Sequence, residues 1–568
     1  MHLIKVVIKN FKCFQGEFSL DLESGLNILV GDNEAGKSTI LEAIHLALSG
    51  WIYGKYITNE LTQALFNTQT VKEYIDSLKT DQKLDPPNIS IELFLEIESD
   101  NDSVKALFEG NYNSTKQKAC GLQFTIAFND KYQTEYEILL NSGEIIESLP
   151  IEFYEFSWST FARDDRLTPK IIPMKSAFID SSNNRYQNGS DVYISRIVKD
   201  NLSDEDKIKV SQAHRRLQSS FANDGSIKDV NTKLSQGMIT DSKRVISLSV
   251  DLSTKSAWEN SLTTYLDEVP FSNIGKGEQT LIKTKLALNH KKTDEASVLL
   301  IEEPENHLSH SKLNKLIKYI TDTQNTKQII ISTHSSFVAN KLGLDNLILL
   351  NKDVNTGTRS KVKIDGLDAE TEKYFKTLSG YDTLRLILCR KAILVEGPSD
   401  ELIVQKAYLK QKSKLPIDDE VDVISVGTSF LRFLEIAKHI NKPVAVVTDN
   451  DGDVAALKSK YSDYLDTNKK DFIEVCFDDT EDTGSLTTGK NNKPFNYNTL
   501  EPKLVKANNN DLSKLNTILG TDFKTLDELY VHMRTSKTDC ALKIFLSQES
   551  LEYPQYILDS VNWEYEQE

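Results

Sequence analysis

The stretch from Lys391 to Asp453 leaves the chain few folds to choose from. KAILVEG is a short apolar run suited to burial on both faces of a sheet, and Pro398-Ser399-Asp400 behind it supplies a first-turn proline with polar helix starters. VDVISV (Val421 to Val426) is a second such run, SFLRFLEIAKHI carries apolar residues at helical spacing, and PVAVVTD is a third. The pattern predicts βαβαβ with parallel strands. Ligands of such sheets gather beyond the strand carboxyl ends, where Glu396 ends the first run and Asp449 and Asp451 end the third. In extended chain those two aspartates share one side, facing Glu396 if the strands are neighbours, with Asp400 one helical turn on and Asp453 as further candidates. Carboxylates gathered without a cation repel one another and hold protons more tightly, so the set points to a hard, oxygen-seeking ion, magnesium or manganese.

VEGPSDEL and TDNDGD resemble the Toprim domain shared by topoisomerases, primases and some nucleases. That resemblance, over the last third of the chain, implies metal-dependent chemistry on nucleic-acid phosphodiesters.

A chain of 568 residues exceeds one hydrophobic core and predicts two to four domains. No apolar run is long enough to span a bilayer, and MHLIKVVIKNF alternates like a strand rather than a signal peptide, so the expected compartment is the cytoplasm, without membrane. The five cysteines are scattered and read as reduced structural thiols. A formal charge of -17 argues against a sequence-independent nucleic-acid coat protein. It leaves room for a nuclease whose basic surface is local.

At the other end, two alternating strands lead into GDNEAGKST, a GxxxxGK[ST] loop between a strand and the helix STILEAIHLAL. Gly31, Asn33 and Gly36 let backbone amides wrap phosphates, Lys37 reaches the outer ones, and Ser38 and Thr39 open the helix, with Ser38 a magnesium ligand. Phe11 and Phe14 read as core. NISIELFLEIE, GLQFTIAFND and YEILLN read as an antiparallel meander. The polar stretch that follows contains the helix DKIKVSQAHRRLQSSFA, whose Ile208, Ala213, Leu217 and Phe221 share a face suited to another helix. Dimerisation is its expected task.

VISLSVDLS returns to strand, and Gly275, Gly277 and Gln279 of GKGEQ open a helix where amides can meet phosphate. SVLLIEEPENHLSH ends a strand in Glu302, placed to orient magnesium water, and Glu303, placed to polarise the attacking water. KQIIISTHSSF ends another in His334, placed to sense a terminal phosphate. His307 and His310 beside Glu305 fit a capping or solvent-facing role better than zinc.

GDNEAGKST, GKGEQ, LLIEEPENHL and STHS, in this order, resemble the ABC-type ATPases of the SMC and repair class. That resemblance implies an ATP-binding head with magnesium, two heads closing over nucleotide, and a homodimer or higher homo-oligomer such as a tetramer. Glu302 stands where many relatives carry Asp, so the expected hydrolysis is slow. An ABC-type ATPase followed by Toprim resembles the overcoming-lysogenization-defect (OLD) family of nucleases, including the nuclease subunit of the Gabija antiphage system and retron-associated effectors. The expected architecture is α/β: the two parts of an ABC/SMC-like P-loop ATPase at 1–165 and 238–384, an inserted helical dimerisation module at 166–237, and a Rossmann-like Toprim domain at 385–568. The resemblance adds Glu501 and Lys537 to the nuclease site and implies nucleotide-controlled DNA cleavage in antiphage defence, with a helicase or a reverse transcriptase and its DNA as partner. A non-cleaving DNA clamp is the alternative, and a topoisomerase would need a catalytic tyrosine in a further domain.

Overall fold

A computed structural model describes residues 1–80, 83–97, 102–142, 146–163, 167–180, 186–187, 190–191, 202–237, 264–289, 297–323, 327–352, 359–488 and 493–565. They fall into two compact units, residues 1–333 with 350–361, and residues 334–349 with 362–568. The stretches 334–349 and 362–384, expected at the end of the ATPase, pack with the second unit.

In the first unit, β1 (His2–Lys9) and β2 (Glu17–Asp21) form an antiparallel hairpin whose inner residues include Val6, Ile8 and Leu20. β3 (Leu26–Gly31), buried along its whole length, leaves that sheet for a parallel one. The loop after it enters α1 (Lys37–Ser49). Phe11 and Phe14 are buried, and Phe14 stacks on Phe18 at 4.5 Å between ring centroids. Helix α2 (Thr68–Ser77) is capped by Asn67. β4 (Ile89–Glu96) and β5 (Ala119–Phe128) continue the antiparallel sheet as expected.

YEILLN does not: it lies in α3 (Gln133–Asn141), and the strand beside β5 is β6 (Tyr154–Thr160). The reason is local. Tyr136 alone of that helix is buried, its hydroxyl bonded to Tyr74 of α2, and Gln133 reaches Glu137 one turn on at 2.7 Å, a helical pairing. β6 is stitched to α1 by the Trp158 indole donating to the Ala47 carbonyl at 2.8 Å.

The parallel sheet runs β7 (Ser176–Asp180), β8 (Val298–Glu302), β9 (Gln328–Ser332), β3, so Glu302 and the phosphate loop open at the same carboxyl edge. Between β7 and β8 the chain forms α4 (Asp204–Asn223), N-capped by Ser203, and α5 (Gly225–Gly237), then α6 (Lys276–Asn289). Ile208, Leu217 and Phe221 lie exposed along α4. VISLSVDLS and most of SSNNRYQNGSD lie outside the described residues.

The second unit opens with α7 (Ser336–Leu342), whose fully buried Asn340 donates to the Tyr381 carbonyl at 2.8 Å and accepts from Thr383 at 2.6 Å. Its sheet carries β10 (Lys391–Val395), β11 (Val421–Ser425), β12 (Val444–Val447) and β13 (Ile473–Cys476), all parallel, in the order β11-β10-β12-β13. Helices α8 (Pro398–Lys412) and α9 (Phe430–Ile440) follow β10 and β11, as the βαβαβ pattern predicts. The C-terminal helices α10 (Leu500–Ala507), α11 (Lys537–Leu546) and α12 (Gln555–Asn562) close one core with α8 and the strands through Ile403, Ala407, Leu504, Ile544 and Ile557. All five cysteines are free thiols, and among the described residues no helix is long and apolar enough to cross a membrane.

Lys391, at the amino end of β10, is buried and donates to the carbonyls of Ser560, at 3.0 Å, and Trp563, which end α12, while lying over the Trp563 ring. Burial lowers its pKa to about 8 from 10.5. Between those two values the folded state binds fewer protons than the unfolded one, so stability gained from this group rises with pH across that window and is at its lowest below pH 8. The expected outcome is that the stability of the parent protein relative to Lys391→Met increases from pH 7.5 to pH 10 by up to about 3 kcal/mol, measured by urea unfolding. A difference that is flat or falls with pH contradicts it.

Candidate active site

Lys37 is the first residue of α1, and Gly36 before it has φ 105°, where a Cβ would stand 2.7 Å from the Phe14 ring. Only glycine fits that turn. The buried Lys37 ammonium folds back on the loop and donates to the Gly31 and Asp32 carbonyls at 2.8 and 2.9 Å. Burial lowers its pKa, opposed by Glu303, Asp32, Glu302 and Glu305. Glu302 and Glu303 thus both act on the Lys37 charge, as do Asp32 and Glu305. Glu303 has φ 42° and accepts from Asn306 at 2.6 Å, while Glu305 accepts from Thr333 at 2.7 Å. Ser38 is half-buried, Asn33 is exposed, and the Thr39 hydroxyl points inward to Cys13.

Gly275 precedes α6 and Gly277 lies in its first turn, where a Cβ would be 2.2 Å from the His307 carbonyl. That glycine is a point of close approach to the EPENHL loop. Gln279 is buried and its amide donates to the carbonyls of Phe271, at 2.8 Å, and Ile274, at 2.7 Å, so the side chain closes its own loop instead of pointing out. His307 and His310 are both exposed. His334 is exposed and opens the second unit, next to Ser335, which caps α7.

In the second unit β10 is flanked by β11 and β12, so the loops leaving β10 and β12 diverge at a topological switch point. Glu396 follows β10, exposed, with its carbonyl held by the Gly427 amide at 3.0 Å. Asp400, in the first turn of α8, accepts from the Gly397 amide at 3.1 Å. Burial, Glu501 and Glu396 push its pKa up to about 6. Asp449, two residues past β12, accepts from the Leu500 amide at 3.2 Å and the Tyr556 hydroxyl at 3.5 Å. Burial raises its pKa well above the carboxylate range, with Asp400, Glu501 and Glu396 adding to the effect. Glu501 is buried in the first turn of α10, 3.3 Å from the Lys537 ammonium at the start of α11. Burial works against the Lys537 charge, yet Glu501, Asp449 and Asp400 hold its pKa above the ordinary value.

Asp451 departs from the expected geometry. The chain after Asp449 is not extended: Asp451 has φ 51° and Gly452 φ 82°, because the buried Asn450 side chain turns inward to the carbonyls of Asp478 and Thr480 at 2.5 and 2.9 Å. The exposed Asp451 carboxylate accepts from Asn496 at 3.0 Å and is not among the acids that act most on Asp449 or Asp400. Asp453 caps the helix Val454–Lys460 through the Ala456 amide.

Sequence reasoning missed three residues here. Asn450 shapes the turn, Tyr556 reaches Asp449 from α12, and Lys503 is buried between Asp478 and Asp482, 2.8 Å from each, donating also to the Thr480 carbonyl at 2.9 Å. An isolated Lys in LEPKLVKA carries no sign of burial; only its apolar neighbours Leu504 and Val505, both buried, hint at it.

As the side chains stand, no three His, Cys, Asp or Glu among the described residues are gathered in ligating range. The donor set nonetheless suits a hard divalent ion. It consists of Glu396, Asp400, Asp449 and Glu501, all oxygen donors; burial, and after it the neighbouring acids, raises the proton affinity of Asp400 and Asp449, and the Lys537 ammonium lies beside Glu501.

Residues 1–339 match the family model described as AAA ATPase domain, and residues 387–451 match the one described as overcoming lysogenization defect protein-like, TOPRIM domain. An ATP/GTP phosphatase of Helicobacter pylori is 24% identical over 356 residues, 58% of this chain and 84% of that protein. An OLD nuclease of Thermus scotoductus is 23% identical over 472 residues, 79% of this chain and 82% of that protein. Among solved structures, an SMC head bound to the C-terminal winged-helix domain of ScpA is 12% identical, covers 64% of this chain and 98% of its own, and has a TM-score of 0.34.

Lys503→Met would leave Asp478 and Asp482 facing each other without their shared cation. Both aspartates are only partly buried and Asp482 keeps Lys506 at 2.6 Å, so the expected loss in urea unfolding of the metal-free protein is about 1–3 kcal/mol. A loss below about 1 kcal/mol would mean that the three groups are solvated, as a surface pair is.

Proposed function

Because the chain belongs to the AAA ATPase domain family, and the OLD-like TOPRIM domain joined to it makes it an OLD-family protein, we propose that it is a nucleotide-controlled, divalent-metal-dependent DNA endonuclease. The observation that carries this reading is that Glu396 and Glu501 act on the charges of both Asp400 and Asp449, with Lys537 3.3 Å from Glu501, at a switch point of a parallel sheet. The name of the Thermus scotoductus relative, an OLD nuclease, supports it.

Glu396, Asp400, Asp449 and Glu501 would hold one or two magnesium or manganese ions, which when bound supply Lewis acidity and a hydroxide-like water for phosphodiester hydrolysis. The rest is done by the chain. Lys537, paired to Glu501, brings a positive charge to where the scissile phosphate gains negative charge. The Leu500 amide steadies Asp449. Asp451, exposed and accepting from Asn496, is left out of this ligand set.

In the head, Gly31, Gly36, Lys37 and Ser38 bind the ATP phosphates with magnesium, and Glu302 and Glu303 serve its water. Glu302 in place of the shorter Asp makes hydrolysis slow, so nucleotide acts mainly by holding a conformation. Two copies pair through the inserted helices, and the amides at Gly275 and Gly277 face the partner's phosphate loop, Gln279 being engaged within its own chain. The biological setting we infer is antiphage defence in the cytoplasm, beside a helicase or a reverse transcriptase.

The test uses supercoiled plasmid with magnesium or manganese, with and without ATP. Nicked or linear product from the parent protein, falling by about a hundredfold or more in Asp449→Ala with ATP binding intact, is the expected outcome. Undiminished nicking by Asp449→Ala refutes the assignment. Plasmid left intact by the parent protein favours the clamp reading, and ladders of relaxed circles favour a topoisomerase.

A further inference from the structure

We propose that Tyr556 is a positioning residue of the nuclease centre, its hydroxyl fixing the orientation in which Asp449 meets a divalent ion; this rests on the nuclease reading above. Tyr556 stands at the start of α12, far along the chain from the strands, with its side chain only 5% exposed. The hydroxyl lies 3.5 Å from Oδ1 of Asp449, and the Leu500 amide donates to Oδ2 at 3.2 Å. Each oxygen of Asp449 thus has one donor, and the two donors come from separate C-terminal helices. A carboxylate oxygen has two acceptor sites, so one on each is left for a cation.

Asp449 needs such restraint. It stands on a loop that leaves β12 and at once turns about Asn450, so the strand itself does not set the direction of its side chain. α12 can impose that direction because it is pinned. Its Ile557 and Val561 are buried in the core, and its last carbonyls are held by Lys391. Lys391 and Glu396 bracket β10, so one strand carries an acid of the site and clamps the helix that orients another.

Two other roles for the phenol are weaker. Packing alone would need only the ring. A nucleophile on DNA would need access and ionisation, yet Tyr556 is buried, and burial together with Asp449, Asp400, Asp478 and Glu501 drives its pKa up. The neutral phenol remains a donor.

The full-length protein carrying Tyr556→Phe separates these roles, because the ring stays and the donor goes. Outer-shell partners of this kind are worth about 10–100-fold in metal affinity. The expected result is a fall of about tenfold or more in Mn2+ affinity by calorimetry, with the metal-free melting curve and ATP affinity unchanged and half-maximal nicking moved to higher Mn2+ in step. p-Aminophenylalanine at position 556, which restores an N–H donor, is expected to recover most of that affinity. It also serves if the phenylalanine variant folds poorly. Parent-like Mn2+ affinity in Tyr556→Phe, beside loss in Asp449→Asn, would overturn the role of Tyr556 and leave the nuclease reading standing. Parent-like Mn2+ affinity in Asp449→Asn would bring down the reading itself. A covalent protein–DNA adduct that vanishes in Tyr556→Phe would replace positioning with nucleophilic chemistry.

Discussion

Repulsion among Glu396, Asp400, Asp449 and Glu501 is the constraint around which the second unit is built. Burial raises the proton affinity of Asp400 and Asp449, and the neighbouring acids raise it further. A fold that relaxed freely would turn these acids out to water. This one leaves Glu396 exposed and holds the other three: the Gly397 amide on Asp400, the Leu500 amide and Tyr556 on Asp449, and Lys537 beside Glu501.

The supports of that arrangement lie one layer out. Lys503 ties α10, which carries Glu501, to Asp478 and Asp482 after β13. Asn450 ties the loop bearing Asp449 to the same segment. Lys391 secures α12, which carries Tyr556. Buried charges and amides of this kind are costly when unpaired and directional when paired, which is why they fix side chains that strand geometry leaves loose. In the first unit the balance is reversed: one lysine, Lys37, is held by loop carbonyls, and its burial, which lowers its pKa, is opposed by four acids.

What local pattern governs was legible from the residues. The apolar runs ending in Glu396 and Asp449, the glycine-bounded loop at Lys37 and the paired Glu302 and Glu303 each lie within a few residues of the strand or helix that presents them. YEILLN was misread because its alternation fits a strand as well as a helix; the buried Tyr136, bonded to Tyr74 some sixty residues earlier, decided for the helix. Asp451 was misread because a DxD spacing implies a shared face only in extended chain, and Asn450 bends that chain to satisfy its own buried amide.

The sequence by itself determined the strand ends, the phosphate loop and the acids offered to a cation, because hydrophobic periodicity and turn chemistry act over short distances. Tertiary structure decided which acids meet, that Asp451 turns away, and that Tyr556, Lys503 and Lys391 serve the site from afar. The physical reason is that a buried hydrogen bond or ion pair is chosen by partners brought together in space, and no spacing along the chain records who those partners are.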